Sequence, residues 1–472
     1  MPIEPATLER LKSAVGARGF SEDPLEIAPR LVEWRSKYQG HTPLLLQPCS
    51  TAEVSAILAI CHETHTPIVP QGGNTGLVGG QIPLDGEVLL SLARLNRIRA
   101  IDTAEMSLVA EAGVVLSEVQ RAADDAGAYF PLSLASEGSC TIGGNLSTNA
   151  GGVNVLRYGS ARNLVLGLEV VLADGRVLDL LRSLRKDNTG YDLKQIFIGA
   201  EGTLGVITAA VLKLFPRPVL RETALLGVRD PAAAIALLSL LQKETGGLLS
   251  AFELMPRFGV ELVLAHIPQT REPFAPPSPW YVLAEAAGAG NIALKDAMDA
   301  AIGEAFAQGL AQDGVLAANE AQRAEFWRLR ESLSEAQKRE GASIKHDVSV
   351  PIARIPEFLT RGCALVQALV PGARPVPFGH LGDGNIHFNF SAPKGGDGEA
   401  FLARWGEVSR AVHDLVHELG GSISAEHGVG VMKREEILRY KSGAEIETMR
   451  ALKRLFDPLN ILNPGKLVRL EP

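Results

Sequence analysis

Two histidines and an asparagine, His380, His387 and Asn389, crowd the stretch GHLGDGNIHFNF at residues 379–390. Gly382, Asp383 and Gly384 form a turn signature between two apolar arms, so the segment reads as a β-hairpin. Side chains alternate along a strand, which puts His387 and Asn389 on one face and Ile386, Phe388 and Phe390 on the other. The turn brings His380 back across from His387, so both imidazoles address one point. A cation held there needs a third donor, and the glycine-rich stretch AEHGVG offers Glu426 and His427. Two histidines and a carboxylate, with one position left open, form a catalytic arrangement for zinc, or for manganese or iron(II). A hydrogen-bonded pair of surface histidines would look the same locally. The Glu426–His427 pair weighs against that plainer reading.

A second kind of chemistry sits in two glycine-rich segments, PIVPQGGNTGLVGG (Pro67–Gly80) and SEGSCTIGGNLSTNAGG (Ser136–Gly152). Glycines at this density let the backbone approach a ligand closely and free N–H groups for phosphate oxygens. Either segment alone reads equally well as a tight turn. Two in one region, both mixed with Asn, Ser and Thr donors, favour a cofactor bearing a pyrophosphate. Neither is a P-loop, because no Gly-Lys-Ser/Thr follows. GAGNIA, starting at Gly288, nominally matches a dinucleotide fingerprint, but a lone match outside the glycine-rich region carries little weight.

These residues must be positioned by a scaffold of more than one core, since 472 residues exceed what a single ordinary core organises. From about 40 to 215, short apolar runs such as LGLEVVLADG and LGVITAAVLKLF alternate with helical stretches such as SEVQRAADDAG, an α/β pattern. The prolines of FPRPVLR mark a boundary. Residues 220 to 420 mix long amphipathic helices with strands such as WYVLAEA, and suggest an α+β domain. The tail is helical until Pro458. A net charge of −8 and a pI near 5.8 argue against a nucleic-acid or anionic-membrane surface. The four cysteines, Cys49, Cys61, Cys140 and Cys363, form no C-x-x-C pair, which excludes a cysteine-ligated iron–sulfur cluster or zinc ribbon. Their scatter suits a reducing compartment, and the start of the chain lacks a signal-peptide core, so a cytoplasmic protein with no membrane span is expected.

PQGGNTGLVGG, GSCTIGGNLSTNAGGVNVLRYG and RKDNTGYDLKQIFIGAEGTLGVITA resemble the FAD domain of the vanillyl-alcohol-oxidase and p-cresol-methylhydroxylase flavoproteins. GHLGDGNIHFNF, SISAEHGVG and DPLNILNPGKL resemble the C-terminal half of the FAD-dependent D-2-hydroxyacid dehydrogenase branch of that family, its D-2-hydroxyglutarate members above all. The resemblance spans about residues 40 to 470. It implies an α+β fold with an FAD-binding domain of two α/β subdomains over 1–218, a substrate or cap domain over 219–420, and a C-terminal segment over 421–472 returning to the flavin. FAD would lie on Pro70, Gln71, Gly72, Gly73, Asn74, Thr75, Gly76 and Leu77, and on Ser136, Gly138, Ser139, Ile142, Gly143, Gly144, Asn145, Thr148, Asn149 and Gly152. Glu201, Gly202, Ile207 and Asn463 would complete the contacts. With neither His nor Cys in the first loop, the flavin is expected to be non-covalent, Cys140 being the one residue that could argue otherwise.

The same resemblance assigns the metal, zinc first, to His380, His387 and Glu426, and leaves His427 as the base. A 2-hydroxy acid can chelate a cation through its hydroxyl and carboxylate, which lowers the hydroxyl pKa. His427 would then take the proton as hydride leaves C2 for the flavin. Asn389 would hold the carboxylate. In WRLRESLSEAQKREGASIKHDVSVP, Arg330 and Ser334 would share a helix face and, with Lys345 on a following strand, grip a distal carboxylate. Ser334 stands where threonine is usual in the family. The implied reaction is oxidation of D-2-hydroxyglutarate, with D-lactate or D-malate as the alternative substrate. The acceptor would be an electron-transfer flavoprotein or a quinone, and a homodimer is the assembly to test. A flavin-binding subunit of a larger complex and a metal-only hydrolase are the readings from other classes.

Overall fold

The computed structural model describes residues 3–470. The chain forms two compact units, one made of 1–152, 159–216 and 426–472, the other of 153–158 and 217–425. The break after Pro216 falls inside the FPRPVLR signal. Val153–Tyr158, expected within the FAD-binding domain, packs with the second unit.

The first unit holds two main sheets of different kinds, beside a two-stranded pairing of Ala128–Tyr129 with Phe215–Pro216. In the smaller, Leu45–Leu46 and Ile68–Gln71 both run parallel to Val88–Ser91, and the helix Thr51–Thr64 makes the crossover. Ser50 starts that helix by accepting from the Glu53 N–H, and His65 ends it in the left-handed conformation. Val54, Ile57, Leu58 and Cys61 line its buried face against Leu44, Leu46, Ile68, Val88 and Leu90. The larger sheet orders its five strands as Ile98–Asp102, Ser107–Glu111, Val206–Lys213, Val165–Val171 and Val177–Leu180, and every pairing is antiparallel. The alternation of apolar runs with helices over this stretch therefore does not make a parallel sheet. The helix Leu116–Asp125 lies between Ser107–Glu111 and Val165–Val171, which are not sheet neighbours: Val206–Lys213 sits between them and pairs antiparallel with both. The C-terminal segment joins the smaller sheet. Ile68 N–H donates to the Ile461 carbonyl and Asn463 N–H to that of Ile68. The preceding helix, Gly443–Phe456, stops before Pro458 as expected.

The second unit is built on an eight-stranded sheet. Its order is Asp313–Leu316, Leu220–Val228, Trp280–Gly288, Leu249–Pro256, Arg374–His380, Asn385–Ser391 and Ser343–Ile344, with Asp347–Ser349 also paired to Asn385–Ser391. All pairings are antiparallel. All eight residues of Leu249–Pro256 are buried, which makes this the central strand of the core. Gly288 ends a strand here and does not open a phosphate-binding turn. Among the described residues no helix is long and apolar enough to cross a membrane.

Candidate active site

The first unit carries the glycine-rich segments. Pro70 and Gln71 end a parallel strand, and Gly72–Leu77 follow as loop at its C-terminal end, where open α/β sheets bind ligands. The second segment brings Ser136, Gly138 and Ser139 to the short helix Ile142–Ser147, which contains Gly143, Gly144 and Asn145. The two segments lie against each other. A Cβ on Gly73 would fall 2.0 Å from the Ser139 carbonyl oxygen, and one on Gly72 would fall 2.5 Å from Thr141 Oγ1. Only glycine allows this approach, so the density of glycines has a steric cause.

Around these loops several side chains act on the protein itself. Asn74, in the left-handed region, donates to the Val32 carbonyl and accepts from Gln81. Asn149 accepts from Ser160 Oγ and from the Arg162 N–H, and Thr148 caps back onto Gly144. Glu201, beside Gly202, accepts from the N–H groups of Val429 (2.7 Å) and Gly430 (2.8 Å). Burial pushes its carboxyl upward despite these bonds and the nearby lysines. Asn463 Nδ2 donates to the carbonyls of Gly80 and Glu201, and so ties the C-terminal segment to the first glycine-rich segment and to the Glu201–Gly202 turn. Ile207 is buried in the strand Val206–Lys213.

Four buried polar atoms here have no protein partner among the described residues: Gln71 Oε1, Thr141 Oγ1, Asn145 Nδ2 and Asn463 Oδ1. Buried polar groups are normally paired, so a cluster of exceptions along two abutting glycine loops fits a polar ligand such as a dinucleotide. Thr141 was missed by the sequence reading although it lies inside the motif. Cys140 is buried, which raises its thiol pKa and makes it a poor nucleophile.

The second unit carries the hairpin. Arg374–His380 and Asn385–Ser391 pair with Phe378 opposite His387 and Val376 opposite Asn389. The turn is a single 3-10 turn, Leu381–Asp383, closed by Gly384 in the left-handed region at φ 89°. The rings of His380 and His387 meet edge to face, 5.6 Å between centroids. His380, His387 and Glu426 each offer a ligand atom, all within 4.8 Å of one another. Glu426 is the next residue after Ala425, whose N–H approaches the Asp347 carbonyl at 3.4 Å.

The supporting shell was invisible in the sequence. His380 Nδ1 donates to Glu253 Oε1 at 2.6 Å, and Arg330 Nε donates to Glu253 Oε2 at 2.7 Å. Glu253 is wholly buried; the His380 and Arg330 charges more than offset its burial and hold its carboxyl down at about 2. A carboxylate on Nδ1 fixes the proton there and turns the Nε2 lone pair outward, as a metal ligand requires. His387 Nδ1 faces buried Asp347 at 4.0 Å, and Asn385 Nδ2 donates to the same carboxylate. The donor set fits a divalent cation.

The expected substrate contacts are placed unequally. Arg330 is buried, and its guanidinium lies over the Phe378 ring at 4.9 Å. The helix expected to carry both Arg330 and Ser334 breaks at Ser332, into Glu320–Glu331 and Leu333–Glu340. Ser334 is exposed and so does not share a face with Arg330. Lys345 lies in the gap between the short strands Ser343–Ile344 and Asp347–Ser349. Asn389 is buried, accepts from the His346 N–H and donates one amide hydrogen to Gln337. His427 ends the bend over residues 425–427, and the next helix is Ile437–Tyr440, so it does not stand just before a helix.

An FAD-type cradle and a histidine hairpin on an antiparallel sheet define a flavoenzyme class, and sequence comparison agrees. Residues 42–181 match the FAD binding domain family, and residues 217–467 match the family of FAD linked oxidases, C-terminal domain. The fold resembles p-cresol methylhydroxylase with substrate bound, at a TM-score of 0.76 and 16% identity over 98% of this chain and 96% of that one. The chain is 41% identical to a probable mitochondrial D-2-hydroxyglutarate dehydrogenase of Oryza sativa subsp. japonica, over 97% of this chain and 80% of the relative. It is 42% identical to mitochondrial D-2-hydroxyglutarate dehydrogenase of Bos taurus, over 94% of this chain and 80% of the relative. This chain belongs to the FAD-linked oxidase family, as an FAD-dependent enzyme of the D-2-hydroxyacid dehydrogenase branch. The mitochondrial names of these relatives overturn the cytoplasmic expectation. Unpaired cysteines and an acidic pI fit any reducing compartment and do not single one out.

Proposed function

We propose that the enzyme oxidises D-2-hydroxyglutarate to 2-oxoglutarate with the help of a divalent cation, zinc first, on His380, His387 and Glu426. The observation that carries the metal reading is the convergence of His380, His387 and Glu426, whose ligand atoms lie within 4.8 Å of one another, with His380 Nδ1 occupied by Glu253 at 2.6 Å. When bound, the cation supplies polarisation of the substrate hydroxyl and FAD supplies the hydride acceptor. His427 removes the hydroxyl proton as the C2 hydrogen departs with its electron pair, so the alcohol loses two electrons and two hydrogens. Asn389 serves the C1 carboxylate through the amide hydrogen that Gln337 leaves unused. Arg330 and Lys345 hold the distal carboxylate, with Ser334 at the exposed rim. FAD is held without a covalent bond, in keeping with the buried Cys140 thiol. Electrons then pass to an electron-transfer flavoprotein or a quinone.

One observation favours a second reading. Arg330 already spends its Nε on Glu253, so its grip on a distal carboxylate is confined to the terminal nitrogens. A broader D-2-hydroxyacid dehydrogenase acting on D-malate or D-lactate follows if that grip is weak. A panel of D- and L-2-hydroxy acids with an artificial dye separates the two. Preference for D-2-hydroxyglutarate, lost on chelation, is the expected result; equal turnover of D-lactate overturns the diacid assignment, and chelator-resistant turnover overturns the metal.

A further inference from the structure

Glu253 stands on the central strand of the second unit, with no exposed surface, directly opposite His380 in the strand register. An apolar side chain would serve at this position, as at Ala251 and Met255, the buried neighbours on the same face of the strand. A buried ion pair gives little net stability over packed apolar residues of the same volume, so stability alone does not explain Glu253 and Arg330. Its two oxygens do different things. One receives the Nδ1 proton of His380, and the other receives Nε of Arg330. Arg330 is further clamped over Phe378, and the Phe378 ring lies 5.1 Å from that of His387, its partner across the strands.

We infer that Glu253 is a positioning residue that sets both ends of the substrate site at once: the tautomer and aim of His380, and the guanidinium plane of Arg330. This rests on the reading of His380 as a metal ligand and Arg330 as a carboxylate contact. With one oxygen taken by Arg330, the carboxylate presents its other oxygen to His380 Nδ1, which leaves Nε2 as the nitrogen turned toward a metal. The guanidinium, fixed through Nε, keeps its terminal nitrogens in one plane for a second carboxylate. Metal affinity and diacid preference are therefore linked through one side chain.

The test uses the flavin-loaded protein. Glu253→Gln keeps the shape but loses the charge, and divalent-metal affinity, read by zinc competition with a chromophoric chelator, is expected to fall about 10- to 100-fold. KM for D-2-hydroxyglutarate should rise more than KM for D-lactate. Because Glu253→Gln leaves Arg330 as a buried unpaired charge, Glu253→Met combined with Arg330→Met serves as the second variant and should show the same loss of metal affinity with its flavin retained. Wild-type zinc affinity in either folded variant overturns the inference. The wild type alone also decides it. In metal-free protein labelled with 15N-histidine, His380 must already be the Nδ1–H tautomer, and a predominant Nε2–H signal overturns the claim. The metal assignment fails separately: His380→Ala with undiminished zinc affinity sinks that reading, whatever Glu253 does.

Discussion

The glycine cradle of the first unit and the histidine hairpin of the second present polar groups to a ligand by opposite means. The cradle works through what is missing: side chains absent at Gly72 and Gly73 let two loops touch, and small polar groups such as Thr141 and Asn145 are left unpaired. The hairpin works through what is added, since buried acids stand behind its histidines, Glu253 behind His380 and Asp347 behind His387. A binding surface of backbone is damaged by adding atoms, whereas a metal surface is damaged by removing charges.

That contrast is broken or sharpened by substitution. The largest effect is expected at the donors. His380→Ala or His387→Ala, or chelation of the wild type, should cut dye-coupled turnover by roughly 10³-fold or more, the several kcal/mol a cation supplies. The flavin absorbance should stay with the protein. Loss of flavin in these variants would erase the distinction between the two regions. His427→Ala should keep zinc and FAD and lose ~10²–10⁴-fold in kcat, the worth of a positioned base. A change in KM alone would move His427 out of the proton-transfer role.

Arg330→Met comes next and asks which duty dominates. Loss of a charge-assisted contact costs about 2–5 kcal/mol, so kcat/KM for D-2-hydroxyglutarate should fall ~30- to several-thousand-fold, and D-lactate turnover far less. The structure adds a second consequence, since the variant strands Glu253 as a buried charge. Removing one member of a buried pair destabilises by ~3–5 kcal/mol, which thermal unfolding will read. Equal losses on both substrates, accompanied by that drop, would mean that Arg330 serves His380 through Glu253 and not the distal carboxylate.

How far the site was legible follows from the same contrast. Glycine density, the Gly-flanked hairpin and its paired histidines leave local marks, and the strand alternation of Ile386–Phe390 placed His387 and Asn389 on one face. The FPRPVLR boundary and the end of the last helix at Pro458 were legible for the same reason, as proline acts locally. Glu253 left no mark, because its partners are 77 and 127 residues away and a single acid in LLSAFELMP says nothing of its neighbours. The break at Ser332 was also hidden: the residues around it keep helical propensity, and only packing puts Arg330 inside and Ser334 outside. The antiparallel larger sheet escaped because periodicity reports a strand's faces and not its direction.

On the cradle side a smaller, steric effect is expected. The Cβ of Gly73→Ala would overlap the Ser139 carbonyl oxygen, a backbone atom that moves only with its loop. Overpacking of this kind costs ~1–3 kcal/mol. It should appear as weaker FAD retention on gel filtration, with zinc affinity unchanged. A parallel loss of zinc would show that the two regions are not independent.

The smallest effects are those of pH, and the two regions carry opposite signs. Glu253 is held at about 2 in the fold, below the ~4.3 of a free glutamate, so its stabilisation is full above that value and is lost as pH falls toward 2. Glu201 is shifted the other way, because burial outweighs its two backbone donors and the charges of Lys433 and Lys466. Its folded form holds a proton longer than the unfolded chain does, so stability is highest below ~4.3 and declines as pH rises through the folded value. Each pH unit crossed inside that window is worth at most ~1.4 kcal/mol. Glu201→Gln removes the titration, so the difference in Tm between wild type and variant should shrink or reverse as pH rises from 4 toward neutrality, on the order of that window. A difference in Tm that stays constant with pH would show that the bonds to Val429 and Gly430 compensate fully for burial. The cradle would then share with the hairpin the use of a fixed negative charge.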